Sequence, residues 1–503
     1  MLFCTTQVGG RPVKLDVSRE ETFCNTRTRH SIEFDLAAGV DKDGRLLAKD
    51  MHSYSNQGAY ASHGHAIAAN GLTSWRLQYA CPNIRGEAYT IYTNTPVGGA
   101  MRGYGIPQVC FAIESFMDDV ANEIHMDPLE FRRKNLIQGY YEDAYLKPIA
   151  ANTNGIFECL EKGAEYIHWD EKRKEYAEQA GDVRKGVGMA LFSYKTGVWP
   201  ISLEIAGARL SLNQDGSVQL MLGATEIGQG ADTVFSQMVA ETLHTDMEHV
   251  HIKTVQDTDV SPFDTGAYAS RQSFVTGTAV RHCAEILRDK ILAYAKTLLP
   301  EIDTRELTLK DNWIWAGDEQ AISLAALAEE SYYSLTNSSV LTAEVSEQVK
   351  KNTIATGCCF AEVEVDIKLG KIKILHIINV HDSGKLLNPQ LAEMQVHGGM
   401  SMGMGYGISE QLILDEKTGR PLNGNLLDYK LMTMLDTPDI KADFVELCDP
   451  MGPYGNKALG EPPAIPCAPA IRNAVLHATG VAFYENPLTP QRLIDGFKKA
   501  GLI

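Results

Sequence analysis

Three short segments restrict this chain more than any other feature: GGAMRGYG at 98–105, GATEIGQG at 223–230 and Gly460-Glu461-Pro462-Pro463. Glycine clusters of this kind let a backbone turn with positive φ and approach a bulky partner closely, with N–H groups left to donate. GATEIGQG opens directly into a helical pattern, which predicts Gly228, Gln229 and Gly230 at a helix N-terminus, a natural anion site, with a ligand-free strand-to-helix turn as the plainer reading. Unaided, a glycine octet is an ordinary tight turn and a Glu before two prolines an ordinary charged one. The information lies in finding all three in one chain, in this order, at 98–105, 223–230 and 460–463.

Asp-Gly dipeptides between β-rich arms predict hairpins over 39–54 and 208–222, and Gly370 turns a third at 361–380. Apolar residues at helical spacing predict helices over 107–126, 231–244 and 277–299. Asp127-Pro128 caps a short helix through LEFRRKN, with proline at its first position. The mixture indicates an α+β fold. The polar stretch 152–182 is the best candidate for a domain joint, its charge run a solvated helix face. The domains would then be 1–150 and 151–503. The segment GGMSMGMGYG (398–407) suits close helix packing better than ligand binding.

Composition excludes several function classes. Among 503 residues, 46 Lys and Arg oppose 64 Asp and Glu for a net charge of −18, which repels phosphate backbones and anionic lipid, so nucleic acid is not an expected partner. No apolar run approaches the ~20 residues of a membrane span, and MLFCTTQVGGRPVKLD carries no signal-peptide pattern. A cytoplasmic chain is expected. The cysteines (4, 24, 81, 110, 159, 283, 358, 359, 448 and 467) form no C-x-x-C pair, and the paired histidines 63/65, 249/251 and 376/381 lack a third ligand at useful spacing. Neither a Walker loop nor a strand-following G-x-G-x-x-G is present.

In order along the chain, PNIRGEAYTIYTNTPVGGAMRGYGIPQ, DPLEFRRKN, GATEIGQGAD, GAYASRQSFVTG, LLNPQ…QVHGGMSMGMGYGISE and GEPPAIPCAPAIRNAV resemble the molybdopterin-binding subunit of the xanthine dehydrogenase/aldehyde oxidase family. The resemblance covers nearly the whole chain. It implies elongated molybdenum-cofactor-binding domains of α+β type. It also implies molybdopterin, in the cytosine dinucleotide form, holding molybdenum through its dithiolene, with no side chain as a direct metal ligand.

Carried over position by position, the resemblance makes Glu461 the catalytic base and sets Arg102 beside the molybdenum ligands. Tyr104 becomes the aromatic face for a flat substrate. Gly228, Gln229, Ala269, Ser270, Gln272 and Gln395 become contacts of the pterin or its nucleotide tail. Asn70 falls where purine oxidisers carry an arginine in the substrate pocket, although Arg76 lies nearby. The implied activity is xanthine dehydrogenase-like oxidation of hypoxanthine, xanthine or a related N-heterocycle, with water as oxygen source. An aldehyde or nicotinate-type hydroxylase is the alternative within the class. Partner subunits carrying iron–sulfur clusters and FAD are implied. The start of the chain resembles the middle of the family's first molybdenum domain, which leaves two expectations: a separate chain supplies the upstream half, or this one is a non-catalytic remnant.

Overall fold

The computed structural model describes residues 2–138, 140–142, 148–150, 153–253 and 257–503. The first sheet pairs β1 (Ile32–Val40) antiparallel with β2 (Leu46–Gly58), which runs parallel to β3 (Asn83–Tyr92). Strict alternation along β1 turns Phe34, Leu36, Ala38 and Val40 toward a core. Asp41 closes the predicted hairpin by accepting the N–H groups of Asp43 at 2.9 Å and Arg45 at 2.8 Å. α1 (Gly64–Leu77), α2 (Ile106–Glu123) and α3 (Pro128–Asn135) pack against this sheet and one another. α2 stops three residues short of its predicted end because His125 adopts φ +55°, which no continuing helix allows. α3 is capped by Asp127, whose carboxylate accepts from Leu129 at 2.8 Å and Glu130 at 3.2 Å.

The stretch expected to be a joint is packed structure. α4 (Ile156–Ile167) and α5 (Trp169–Glu175) bury Cys159, Leu160, Ile167 and Trp169 in the same core as Met51, Trp75 and Phe131. The sequence suggests a joint because the outward residues Asp170, Glu171 and Lys174 dominate its composition, and these are exposed as expected.

β4 (Val183–Lys195) follows, then a second sheet in the order β8–β5–β6–β7, from β5 (Ile205–Leu212), β6 (Val218–Leu222), β7 (Val250–Ile252) and β8 (Thr342–Gln348). The predicted 208–222 hairpin is β5–β6, turning with Gly216 at φ +82°. α6 (Ala231–Leu243) and α7 (Gly277–Leu298) cover its apolar face with Phe235, Val239, Cys283, Leu287 and Ile291. β9 (Ile354–Asp366) and β10 (Lys371–Asp382) form the third predicted hairpin and join β4 and β11 (Ile440–Phe444) in a sheet ordered β11–β10–β9–β4. α8 (Pro389–Ile408) and α9 (Cys467–Thr479) pack on this last sheet opposite α4. Among the described residues no helix is long and apolar enough to cross a membrane.

Candidate active site

The N-terminal ends of α1, α2, α6, α7 and α8, with the loop before α9, converge on one cavity of about 1100 Å³. The glycine octets are the turns that deliver α2 and α6 to it. All of the residues singled out from sequence line it: Asn70, Arg102, Tyr104, Gly228, Gln229, Ala269, Ser270, Gln272, Gln395 and Glu461.

Glu461 stands at the end of the Gly-Glu-Pro-Pro turn, where Pro462 and Pro463 fix the backbone on its C-terminal side. Its Oε1 accepts the Gly103 N–H at 3.4 Å, and its Oε2 accepts from the Tyr194 hydroxyl and, at 3.4 Å, from Ser270 Oγ. Burial pushes its carboxyl up to about 7, against the opposing pull of the Gly103 N–H and the charges of Arg102 and Arg29. A carboxylate of that affinity takes a proton at neutral pH far more readily than a solvated one.

Arg102 joins the first octet to the rest of the site. Its Nε donates to the Gly460 carbonyl at 2.7 Å and its Nη2 to the Gln395 carbonyl at 3.0 Å, so one guanidinium ties together the α2 loop, α8 and the Glu461 turn. Behind it, Arg29 donates to the Arg102 carbonyl at 2.8 Å.

Tyr104 is held at φ +48°, an uncommon conformation for an aromatic residue and one typical of functional sites. Its hydroxyl meets His63 Nδ1 at 2.8 Å, and its carbonyl accepts the Asn70 amide N–H at 2.9 Å. Asn70 thus braces the Tyr104 backbone with one amide N–H while it lines the cavity.

Ala269 and Ser270 lie at φ +49° and +50° on the facing wall. The next residue, Arg271, is fully buried and ion-paired to Glu204 at 2.5 Å and Asp264 at 2.6 Å, which anchors the C-terminal side of this turn. Gln229 donates to Gln272 Oε1 at 2.7 Å, and both amides donate to the Thr225 carbonyl at 3.0 Å. The anion site expected at the start of α6 is filled from within. Glu226 accepts from Gly228 at 2.6 Å, Gly230 at 3.2 Å and Asp232 at 3.1 Å. Although burial pushes that carboxyl up, these N–H groups hold it below the ordinary value. A sequence pattern cannot show that a loop caps its own helix.

Six basic side chains line the cavity (Arg27, Arg102, Lys195, Arg271, Lys385 and Lys457), and among the described residues Glu461 is the one carboxylate there, in a chain of net charge −18. The same wall holds the buried Ser383 hydroxyl and both amide atoms of Asn456, which lack any protein partner. A large, flat, phosphate-bearing ligand with many hydrogen-bonding edges fits such a lining. Among the described residues no cluster of three or more His, Cys, Asp or Glu side chains is placed to hold a metal ion, and His63, His65 and Glu461 are the metal-capable side chains of the lining. Tyr194 and Arg29 were missed from sequence because nothing in ALFSYKTG or RTRH marks which residues the fold turns inward.

The comparisons agree with this geometry. The molybdopterin cofactor-binding domain family matches residues 1–136 and 162–438. The chain is 48% identical over 506 residues to the putative xanthine dehydrogenase molybdenum-binding subunit of Escherichia coli (strain K12), covering 100% of this chain and 67% of that one. The aldehyde oxidoreductase molybdenum-binding subunit of the same organism is 28% identical, across 96% of this chain and 63% of its own. The fold superposes on quinoline 2-oxidoreductase from Pseudomonas putida 86 with a TM-score of 0.90 at 24% identity, over 99% of this chain and 66% of that one. The protein belongs to the xanthine dehydrogenase/aldehyde oxidase family of molybdenum oxidoreductases, as a molybdopterin-binding subunit.

Proposed function

We propose that this chain provides the active site of a xanthine dehydrogenase-like hydroxylase, oxidising hypoxanthine, xanthine or a related N-heterocycle with water as the oxygen source. The observation that carries the reading is Glu461, raised to about 7 and bonded to the Gly103 N–H next to Tyr104 in one cation-lined cavity. The molybdenum cofactor, when bound, supplies the two-electron oxidation and the water-derived oxygen of a C–H hydroxylation. Glu461 Oε1 or Oε2 receives the proton released as the new C–O bond forms, and Tyr194 and Gly103 hold the carboxylate for that transfer. The Tyr104 ring offers a face on which a flat ring stacks, a contact worth about 0.5–1.5 kcal/mol beyond area burial. Arg102, Gln229, Ala269, Ser270, Gln272 and Gln395 would hold the pterin, and the chain outside Gly228 is open enough for it to approach.

The cytosine dinucleotide form of the cofactor and partner subunits with iron–sulfur clusters and FAD belong to the same proposal, as do a cytoplasmic location and a division at residue 150. Relatives described as molybdenum-binding subunits support the multi-subunit part. The aldehyde reading is kept because Asn70 is engaged by Tyr104 and puts no cation at that point of the wall. Repeated turnover of hypoxanthine by the assembled enzyme in ¹⁸O-labelled water, so that the transferred oxygen is replenished from solvent, separates the outcomes. Label in the oxidised purine is expected. An unlabelled product, or turnover confined to simple aldehydes, overturns the purine reading.

A further inference from the structure

Of the basic residues lining the cavity, four are committed within the protein. Arg102 binds the Gly460 and Gln395 carbonyls, and Arg271 pairs with Glu204 and Asp264. Lys385 pairs with Glu446 at 3.0 Å and Lys457 with Asp382 at 2.8 Å. Arg27 is exposed at the rim and meets His63 at 3.0 Å. Lys195 differs from all of these. Its ammonium has three protons to donate, and its one described bond is a long 3.4 Å contact with the Trp199 carbonyl.

The backbone around Lys195 is fixed. It ends β4, one residue beyond Tyr194, whose hydroxyl bonds Glu461. The next turns are pinned by Thr196 to Thr353 at 2.9 Å and by Gly197 to the Ala269 carbonyl at 2.9 Å. The side chain lines the same cavity as Glu461, Tyr104 and Asn70. Burial lowers the lysine from its ordinary value, and the charge of Arg76 on α1 adds to this against the attraction of Glu204. A half-buried ammonium with so few partners is costly when left empty. It is correspondingly strong when a ligand oxygen takes its protons.

We propose that Lys195 is the substrate-anchoring cation of this site, donating to a ring oxo group or carboxylate on a flat aromatic substrate stacked on Tyr104. The substrate class is thereby narrowed to rings bearing an oxygen acceptor. The inference rests on the hydroxylase reading for the identity of the cavity as a substrate site. It explains how a pocket with Asn70 turned to Tyr104 still presents a positive charge to an electron-rich edge.

The test reads equilibrium binding in the assembled holoenzyme carrying Glu461→Gln, so that turnover does not interfere. Two matched pairs serve as probes: hypoxanthine with purine, and 3-carboxybenzaldehyde with benzaldehyde. The parent should bind at least one oxygen-bearing probe more tightly than its neutral partner. Adding Lys195→Met should weaken that probe by about 10- to 100-fold and the neutral partner by less than about threefold, with Lys195→Arg restoring most of the loss. Equal loss for both members of a pair, no loss, no preference in the parent, or loss of bound pterin in place of probe affinity each overturns the proposal. Failure of the hydroxylase reading shows separately, as unlabelled product from the enzyme with Glu461 intact.

Discussion

Glu461 illustrates how a weak base is strengthened by position. A carboxyl that is raised in the fold and ordinary in the unfolded chain is ionised in the fold only at a cost, so it destabilises the protein increasingly as pH rises from its unfolded value to about 7. Replacing it with Gln removes that cost. Thermal denaturation of Glu461→Gln at pH 8 should therefore give a Tm equal to or above that of the unaltered protein, and a fall of several degrees would show that the carboxylate is structurally required. Tyr194 donates to the ionised form, so Tyr194→Phe should move the acid limb of kcat/KM to higher pH. A limb that stays in place, with turnover otherwise unchanged, removes Tyr194 from the control of the base. The two residues also mark what was legible. Glu461 sits in a tetrapeptide whose neighbours are themselves unusual. Tyr194 is one aromatic among 20 tyrosines, and only the pairing of β4 with β9 aims it at the carboxylate.

At the scale of elements, α8 shows why its glycines are where they are. A Cβ on Gly399 would lie 2.4 Å from Pro463 Cβ, and one on Gly403 2.9 Å from Cys467 Cβ, so α8 lies directly on the turn that carries Glu461 and on the start of α9. Sequence anticipated this packing from small residues at helical spacing, and it anticipated the three hairpins from their turn residues. What it did not anticipate is the self-capping of α6 by Glu226 or the burial of α4 and α5, because both depend on which polar atoms and apolar faces meet across distant segments. Gly399→Ala should lower stability by about 1–3 kcal/mol, measured by chemical denaturation of the assembled protein, and should reduce turnover by displacing the Glu461 turn. Gly398→Ala on the exposed side, where the nearest atom is Arg102 Nη1 at 3.8 Å, should be neutral or stabilising by about 0.4–1 kcal/mol. Equal effects at both positions would mean that the close approach does not hold the turn.

Across the whole molecule, the first sheet and the third share one hydrophobic core, and a buried polar knot reinforces their junction. Arg132 of α3 pairs with Glu114 at 2.9 Å and Asp118 at 2.6 Å, while Glu114 also accepts the Leu191 N–H of β4 at 2.9 Å. Arg132 was legible only as part of a charged short helix, since a charge in a sequence does not announce its burial. Removing one member of such a knot leaves the others buried and unpaired, so Arg132→Met should cost about 3–5 kcal/mol by chemical denaturation; a loss below about 1 kcal/mol would show that the junction does not depend on it. The knot fixes β4, and with it Tyr194 and Lys195, against the loops that carry Arg102 and Glu461, so cavity and chemistry are a property of the assembled fold. The most direct measurement is the pH dependence of hypoxanthine turnover by the assembled enzyme and by its Glu461→Gln variant at matched molybdenum and pterin content. The unaltered enzyme should lose activity as pH falls through about 7, and the variant should turn over roughly 10²–10⁴ times more slowly with that limb absent. Near-normal turnover by the variant, at full cofactor content and with the limb unchanged, would contradict the assignment of Glu461 as the base.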